Sequence, residues 1–107
     1  MSAAALEALR LPDEVRPPTA ASVAAYLRSL GAEPHAWSNG PGDRYAVHEH
    51  GYTKVLMCAA GSITFLVGPD ERPLPLRPGE GFVLPPRTRH AAEVGPAGVT
   101  CLEARRD

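Results

Sequence analysis

From residue 34 onward, the chain is a succession of short apolar runs that glycine and proline interrupt at close intervals. Runs such as "RYAVHEH", "SITFLVG" and "RHAAEV" alternate with breaks such as "NGPGD", "GPDERPLPLRPGEG" and "GPAG". Residues within the runs repeat with a period of two, which is typical of β-strands. No helical pattern of 10–15 residues separates the runs, which argues against a parallel sheet with crossover helices. The pattern predicts an all-β, antiparallel sandwich or barrel.

The 107-residue chain has the length of a single domain with one core. We divide it into an N-terminal helical extension, residues 1–33, and a β-barrel, residues 34–107. Within the extension we expect a short helix over residues 2–10 and a longer helix over residues 20–30, joined by a proline-containing linker. The longer helix is expected to pack on the outside of the barrel.

The helix over residues 20–30 has both of its boundary signals and one apolar stripe. Thr19 follows two prolines and is a suitable N-cap. Val23, Leu27 and Leu30 recur at helical spacing, and Gly31 is a good residue to end the helix. The sequence therefore predicts an amphipathic helix with Val23 and Leu27 buried.

Composition excludes several classes of protein. The formal net charge is -1, so nothing indicates a nucleic-acid or membrane surface. The longest apolar run is far shorter than the roughly 20 residues that span a bilayer, and the N-terminus has no basic start of a secretory signal. Cys58 and Cys101 lie in apolar runs, which favours buried, reduced thiols in a cytoplasmic protein over a disulfide. The high content of Ala, Pro and Arg indicates a GC-rich, bacterial genome.

Three of the four histidines stand where they can meet in space. His48 and His50 are two residues apart, so on one strand they share a face. His90 follows the turn "LPPRT" and lies on a different strand. Three imidazoles from two strands suit a divalent metal ion such as Zn, Fe, Ni or Mn, and leave coordination positions open for water or substrate. We assign no role to His35.

The spacing around these histidines resembles the first motif of the cupin family. That motif is a glycine, five residues, His-x-His, three or four residues, Glu, six residues and a glycine. Gly42, His48, His50 and Gly61 match it, and Lys54 stands where the motif has its glutamate.

The second cupin motif is also similar to a stretch of this chain. Gly79, Pro85 and His90 match it, whereas Arg87 and Val94 replace its second glycine and its asparagine. The resemblance covers about residues 36–104. It implies an antiparallel double-stranded β-helix, or jelly roll, of a small single-domain cupin, and a homodimer as its common assembly.

The resemblance implies two alternatives for function and no particular substrate. In the first, His48, His50 and His90 bind a divalent metal for a dioxygenase-like or isomerase-like enzyme acting on a small molecule. In the second, the chain is a non-catalytic small-molecule-binding or sensor domain with weak metal binding or none, similar to the barrel of sugar-sensing transcription regulators. Catalytic residues are not identified. Lys54, Tyr52 and Arg87 are the candidates for ligand binding.

Lys54 is the only lysine in the chain, and it stands beside the histidines. An ammonium about 4–5 Å from a divalent cation is repelled. We therefore expect one of three outcomes. Lys54 is neutral, or it pairs with a carboxylate such as Glu103 or Glu49, or the site binds metal weakly and Lys54 binds an anionic ligand.

Overall fold

The structure is a computed structural model that describes residues 6–106 as seven strands, one α-helix and one 3₁₀ turn. The elements are β1 (Glu7–Arg10), the 3₁₀ turn (Asp13–Val15), α1 (Ala20–Ser29), β2 (His35–Asn39), β3 (Arg44–His48), β4 (Thr53–Val67), β5 (Arg72–Leu76), β6 (Glu80–Leu84) and β7 (His90–Arg106). Every strand pairing is antiparallel. The predicted antiparallel all-β fold is confirmed.

The two long strands, β4 and β7, belong to both layers of the barrel. The first part of β4 pairs with β6 and with the end of β7. Its second part pairs with β5 and with the start of β7, after register shifts between Cys58 and Ile63. The two layers face each other, because the ring of Phe65 meets the ring of Phe82 edge-on at 5.1 Å. The interior of the barrel lies between these layers.

Gly61 permits the bend at which β4 passes from one layer to the other. Its φ is 73° and a Cβ atom there would lie 2.0 Å from the carbonyl oxygen of Gly98, so only glycine fits. Gly81 is required for a close approach of two strands and not for a turn. It lies inside β6, where a Cβ atom would lie 2.0 Å from the carbonyl oxygen of Leu56.

Helix α1 forms as the sequence predicts. The backbone N–H of Ser22 donates to Oγ1 of Thr19 at 3.0 Å, and the backbone N–H of Thr19 donates to Oγ of Ser22 at 2.9 Å. This reciprocal capping box fixes the first turn. The helix ends at Ser29, and Gly31 follows with a φ of 84°. Both boundary signals are confirmed.

The apolar stripe of α1 covers the outer face of one layer. Val23 and Leu27 are fully buried there, as predicted. Their partners are apolar residues of the N-terminal segment and of the outward-facing positions of three strands. This outer core consists of Leu9, Leu11, Val23, Leu27, Val55, Met57, Ala59, Val83 and Leu102.

The helix expected over residues 2–10 is wrong for its described part, while residues 2–5 lie outside the described residues. Glu7–Arg10 form β1, which pairs with β6 over four positions. The stretch "EALR" consists of good helix formers, but four residues contribute little intrinsic helix stability. The edge of β6 offers backbone hydrogen bonds, and Leu9 enters the outer core. Tertiary pairing therefore overrides local propensity.

Three further predictions concern the surface and the thiols. Cys58 and Cys101 are buried and free, directly opposite each other on β4 and β7. Within residues 6–106, Val15 and Val47 are the exposed large hydrophobic residues. The homodimer that the cupin resemblance implies stays a prediction. Helix α1, the α-helix of that range, is neither long nor apolar enough to cross a membrane.

Candidate metal-binding and ligand pocket

The three histidines come together at one end of the barrel. His48 is the last residue of β3 and His90 the first of β7, and the two are paired neighbours across the strands. His50 lies beyond the end of β3 instead of on the strand, so the expected shared strand is wrong. The loop nevertheless returns its ring to the cluster, with centroids 5.0 Å from His48 and 5.1 Å from His90.

Backbone contacts orient two of the imidazoles. Nδ1 of His48 lies 2.7 Å from the carbonyl oxygen of Ala46, and Nδ1 of His90 lies 2.9 Å from that of Thr88. Because a carbonyl only accepts hydrogen bonds, Nδ1 carries the proton in both rings and Nε2 keeps its lone pair. Carbonyl contacts of this kind fix the tautomer of metal-binding histidines in known sites.

The third imidazole supplies the most direct evidence for a missing ligand. Nε2 of His50 is buried and has no hydrogen-bond partner within the described chain. An unpaired buried polar atom costs free energy, and such atoms are rare in native proteins. One potential ligand atom from each of the three histidines lies within 4.8 Å of the other two.

The donor set fits a divalent ion if the rings move closer together. Zinc–nitrogen bonds are about 2.0–2.1 Å long, so two nitrogens of a tetrahedral site are about 3.4 Å apart. The widest spacing that the cluster allows is 4.8 Å. Binding would therefore draw the rings together by up to about 1.4 Å, which rotation of exposed His48 and half-buried His50 permits.

Burial keeps His50 and His90 in the neutral form that binds metal. Burial lowers the pKa of His90 to about 4, against a weaker opposite effect of its contact with Thr88. Burial, followed by the charge of Lys54, lowers the pKa of His50 as well. Both rings are therefore neutral near pH 7 and need lose no proton when they bind an ion.

Lys54 enters the same pocket and pairs with Glu103. Its Nζ lies 3.4 Å from Oε1 of Glu103, and both side chains are largely buried, at 12% and 18% exposure. Trp37 donates its indole N–H to the same oxygen at 2.8 Å. The predicted pairing of Lys54 with a carboxylate is confirmed for Glu103. The other candidate, Glu49, is exposed.

The pocket has a volume of about 220 Å³ and combines polar and apolar walls. Both layers of the barrel contribute to it. The lining residues are Trp37, Tyr45, His48, Lys54, Leu56, Phe65, His90, Ala92 and Glu103. Tyr45 packs edge-on against Trp37 at 5.7 Å and donates its hydroxyl to Asn39, and burial raises its pKa.

The other two ligand-binding candidates lie outside this lining. Tyr52 stacks on His50 with centroids 5.0 Å apart, and the guanidinium carbon of Arg105 lies over the Tyr52 ring, 4.6 Å from its centroid. The backbone N–H of Arg87 donates to the carbonyl oxygen of His50 at 2.6 Å, whereas its exposed side chain borders a different groove. Both residues therefore contact the loop of His50 and not the pocket.

Sequence reasoning missed two aromatic walls and one histidine. Trp37 and Phe65 line the pocket, and Nε2 of His35 lies 3.7 Å from Oε2 of Glu103. The period-two alternation of "HAWSN" places His35 and Trp37 on one face of β2, which was a usable signal. Their meeting with Glu103, 66 residues away from Trp37, was not readable from local pattern.

Solved structures share this fold at low sequence identity. An RmlC-like cupin from Shewanella frigidimarina is 23% identical, with a TM-score of 0.60, over 68% of this chain and 63% of that chain. The DMSP lyase DddQ from Ruegeria pomeroyi is 23% identical, with a TM-score of 0.63, over 69% and 37%. The 11S globulin from Wrightia tinctoria is 17% identical, with a TM-score of 0.61, over 76% and 22%. The chain thus spans less than two thirds of each.

These similarities confirm the predicted cupin-type, double-stranded β-helix barrel. No curated protein matches the sequence. The profile of the AraC-like ligand binding domain matches residues 29–102, which is more than half of the chain and includes all three clustered histidines. The chain belongs to the AraC-like ligand-binding domain family.

Proposed function

We propose that the protein binds one divalent metal ion through His48, His50 and His90, and that this site forms the polar end of a small-molecule pocket. The observation that carries the proposal is the buried, unpartnered Nε2 of His50 beside two rings whose Nδ1 atoms are held by carbonyls. A metal cation, which accepts electron pairs, is the simplest partner for the lone pairs of three converging imidazole nitrogens. The metal would supply open coordination positions and Lewis acidity.

Lys54 stands where the cupin motif has a glutamate, and its pairing with Glu103 makes a cation site compatible with this replacement. Their pairing cancels the ammonium charge, so that the residues around the histidines are neutral overall before an ion binds. Trp37 holds Glu103 in place through its indole N–H. In this arrangement Lys54 is a polar wall of the pocket and not a ligand of the metal.

Binding of a small molecule, without turnover, is the function that the site supports best. The family is defined as ligand-binding, and the cavity of about 220 Å³ is open to a small compound. A metal-dependent enzyme is the second candidate, favoured by the buried carboxylate of Glu103 and the ammonium of Lys54 in the same pocket. Either side chain would be placed to move a proton, and DddQ, of similar fold, is named a lyase.

Metal titration of the chelator-treated protein tests the proposal. Calorimetry with Zn²⁺, Fe²⁺, Ni²⁺ and Mn²⁺, followed by elemental analysis after dialysis, should give one ion per chain for at least one metal. A stoichiometry well below one for all four would overturn it. Screening for turnover with and without the ion, beside ligand-induced thermal stabilisation, separates the enzyme from the binding domain.

A further inference from the structure

We infer that the ligand of this pocket is a small monocarboxylate with an apolar body, whose carboxylate lies between the histidine-bound ion and the ammonium of Lys54. The inference deepens the proposed function and rests on its metal site. It assigns Lys54 a ligand-binding role that the pairing with Glu103 leaves open. Charge, hydrogen-bond donors and shape support it separately.

The charge of the loaded pocket calls for an anion. Three neutral histidines leave the two positive charges of the ion uncompensated, and the ion pair of Lys54 with Glu103 adds none. Glu103 is the single carboxylate among the residues that line the cavity. In a partly enclosed pocket, where water screens weakly, an anionic ligand therefore gains more than a neutral one.

Among Trp37, Tyr45 and Lys54, Lys54 is the polar group of the pocket with spare donors. The indole N–H of Trp37 already donates to Glu103, and the hydroxyl of Tyr45 donates to Asn39. An ammonium has three N–H donors, and the contact of Lys54 with Glu103 uses one of them. The ligand group that best matches this inventory is an acceptor, and a charged acceptor makes the stronger hydrogen bond. A polyhydroxylated ligand would find few partners here.

Size and the remaining walls describe the rest of the ligand. Trp37, Leu56, Phe65 and Ala92 present apolar surface to the cavity. Its volume of about 220 Å³ is below the range of roughly 300–1,000 Å³ for drug-sized ligands. A second carboxylate would find no further lysine and no arginine among the lining residues. The geometry therefore favours one carboxylate on a short aliphatic or aromatic body.

Paired probes test the carboxylate without any variant. Acetate, butyrate and benzoate are titrated calorimetrically into the Zn²⁺-loaded protein beside acetamide, butyramide and benzamide, which match them in shape but carry no charge. We expect at least one acid to bind at least about tenfold more tightly than its amide, the effect of one charged hydrogen bond. If no acid binds, or if each amide binds as well as its acid, the inference is overturned.

Two variants assign the effect to Lys54. Glu103→Gln keeps an acceptor for Trp37 and frees the ammonium, so carboxylate affinity should rise. The double variant Lys54→Met with Glu103→Gln removes both charges, so its pocket has the net charge of the wild type. It should bind the carboxylate less tightly than the wild type, and about tenfold or more less tightly than Glu103→Gln alone. Equal affinity in the two variants would show that Lys54 does not contact the ligand, and would overturn the inference.

Failure of the metal site is distinguishable from failure of this inference. If Zn²⁺ binds one per chain but acids and amides bind alike, the proposed function stands and the carboxylate ligand is wrong. If the histidines bind no metal, the proposed function fails. In that case, the same titrations of the metal-free protein decide whether Lys54 alone selects a carboxylate. A preference for acids over amides that is lost in the double variant supports this role of Lys54. No preference for acids over amides overturns it.

Discussion

The two faces of the first part of β4 lie on one strand but differ in what they bury. On the outer face, Val55 and Met57 are fully buried beneath α1 and contact apolar residues. On the inner face, Leu56 and Cys58 are equally buried in the barrel interior, but the row begins with Lys54. The outer face is completed by the chain's own helix, whereas the inner face ends in a pocket.

The difference shows which residues packing explains and which it does not. An apolar residue at position 54 would extend the interior core without the cost of burying a charge. Lys54 instead requires Glu103 as its partner, and Glu103 in turn accepts a hydrogen bond from Trp37. A buried ion pair is seldom more stable than apolar residues of the same volume. Packing therefore explains the outer face as well as Leu56 and Cys58 on the inner face, and it leaves Lys54 as the position for which the proposed binding role gives a reason.

Leu27→Ala should show the largest effect on stability, because it removes a fully buried side chain from the outer core. We expect a loss of about 2–5 kcal/mol in the free energy of unfolding, measured by urea denaturation. Leu30→Ala, at a half-buried position of the same stripe, should cost less. Metal stoichiometry of the folded protein should be unchanged, and a loss of metal binding would mean that the two faces are not independent.

His90→Ala should have the opposite effect, weakening metal binding more than it weakens the fold. It removes one of three ligands from an otherwise neutral site, so Zn²⁺ affinity should fall at least about 100-fold, or about 2.7 kcal/mol. His35→Ala is the matched control, because the exposed His35 contacts Glu103 at 3.7 Å but lies outside the cluster of three histidines. This variant should bind Zn²⁺ like the wild type. Stoichiometric, tight binding by His90→Ala would contradict the three-histidine site.

The metal-free protein should lose stability as the pH falls. The pKa of His90 is lowered from 6.5 to about 4 in the folded state, so the unfolded chain binds more protons between those values. The free energy of unfolding should therefore rise with pH through this window and reach its full value above about 6.5, by at most about 3 kcal/mol. His90→Gln should flatten the profile, and an unchanged profile in that variant would assign the effect to another group.

Restoring the carboxylate of the cupin motif should strengthen metal binding by a smaller amount. Lys54→Glu combined with Glu103→Gln removes the ammonium, adds a potential ligand and avoids two adjacent carboxylates. We expect Zn²⁺ affinity to rise about tenfold or more, or about 1.4 kcal/mol, by calorimetry. Glu103→Gln alone should not raise it, because it leaves the ammonium unpaired. If the double variant binds no better than the wild type, position 54 does not face the histidines.

The sequence predicted the features that depend on local pattern. Helix α1 carries its own cap and stripe, and the period-two runs mark the strands, so both are readable without tertiary information. Lys54, Leu56 and Cys58 share one face of β4, and their spacing of two residues makes that shared face readable from the sequence. The pairing of Lys54 with Glu103 was predictable because a buried ammonium needs a partner and the last strand offered Glu103 as one of its carboxylates.

Features that depend on partners distant in the chain were not readable. The stretch "EALR" becomes β1 only because β6 has a free edge. The aromatic wall formed by Trp37 and Phe65 depends on how two layers close over each other. His50 joins the cluster through a loop whose carbonyl is held by Arg87, so its place reflects a backbone contact and not strand periodicity.

X-ray absorption spectroscopy and anomalous diffraction on the Zn²⁺-loaded protein test the central claim most directly. The account predicts one ion per chain, with three imidazole nitrogens from His48, His50 and His90 at about 2.0–2.3 Å. The positions of Lys54 and Glu103 in the same crystals would show whether their pairing persists. An ion bound elsewhere, or held by fewer than these three histidines, would contradict the account.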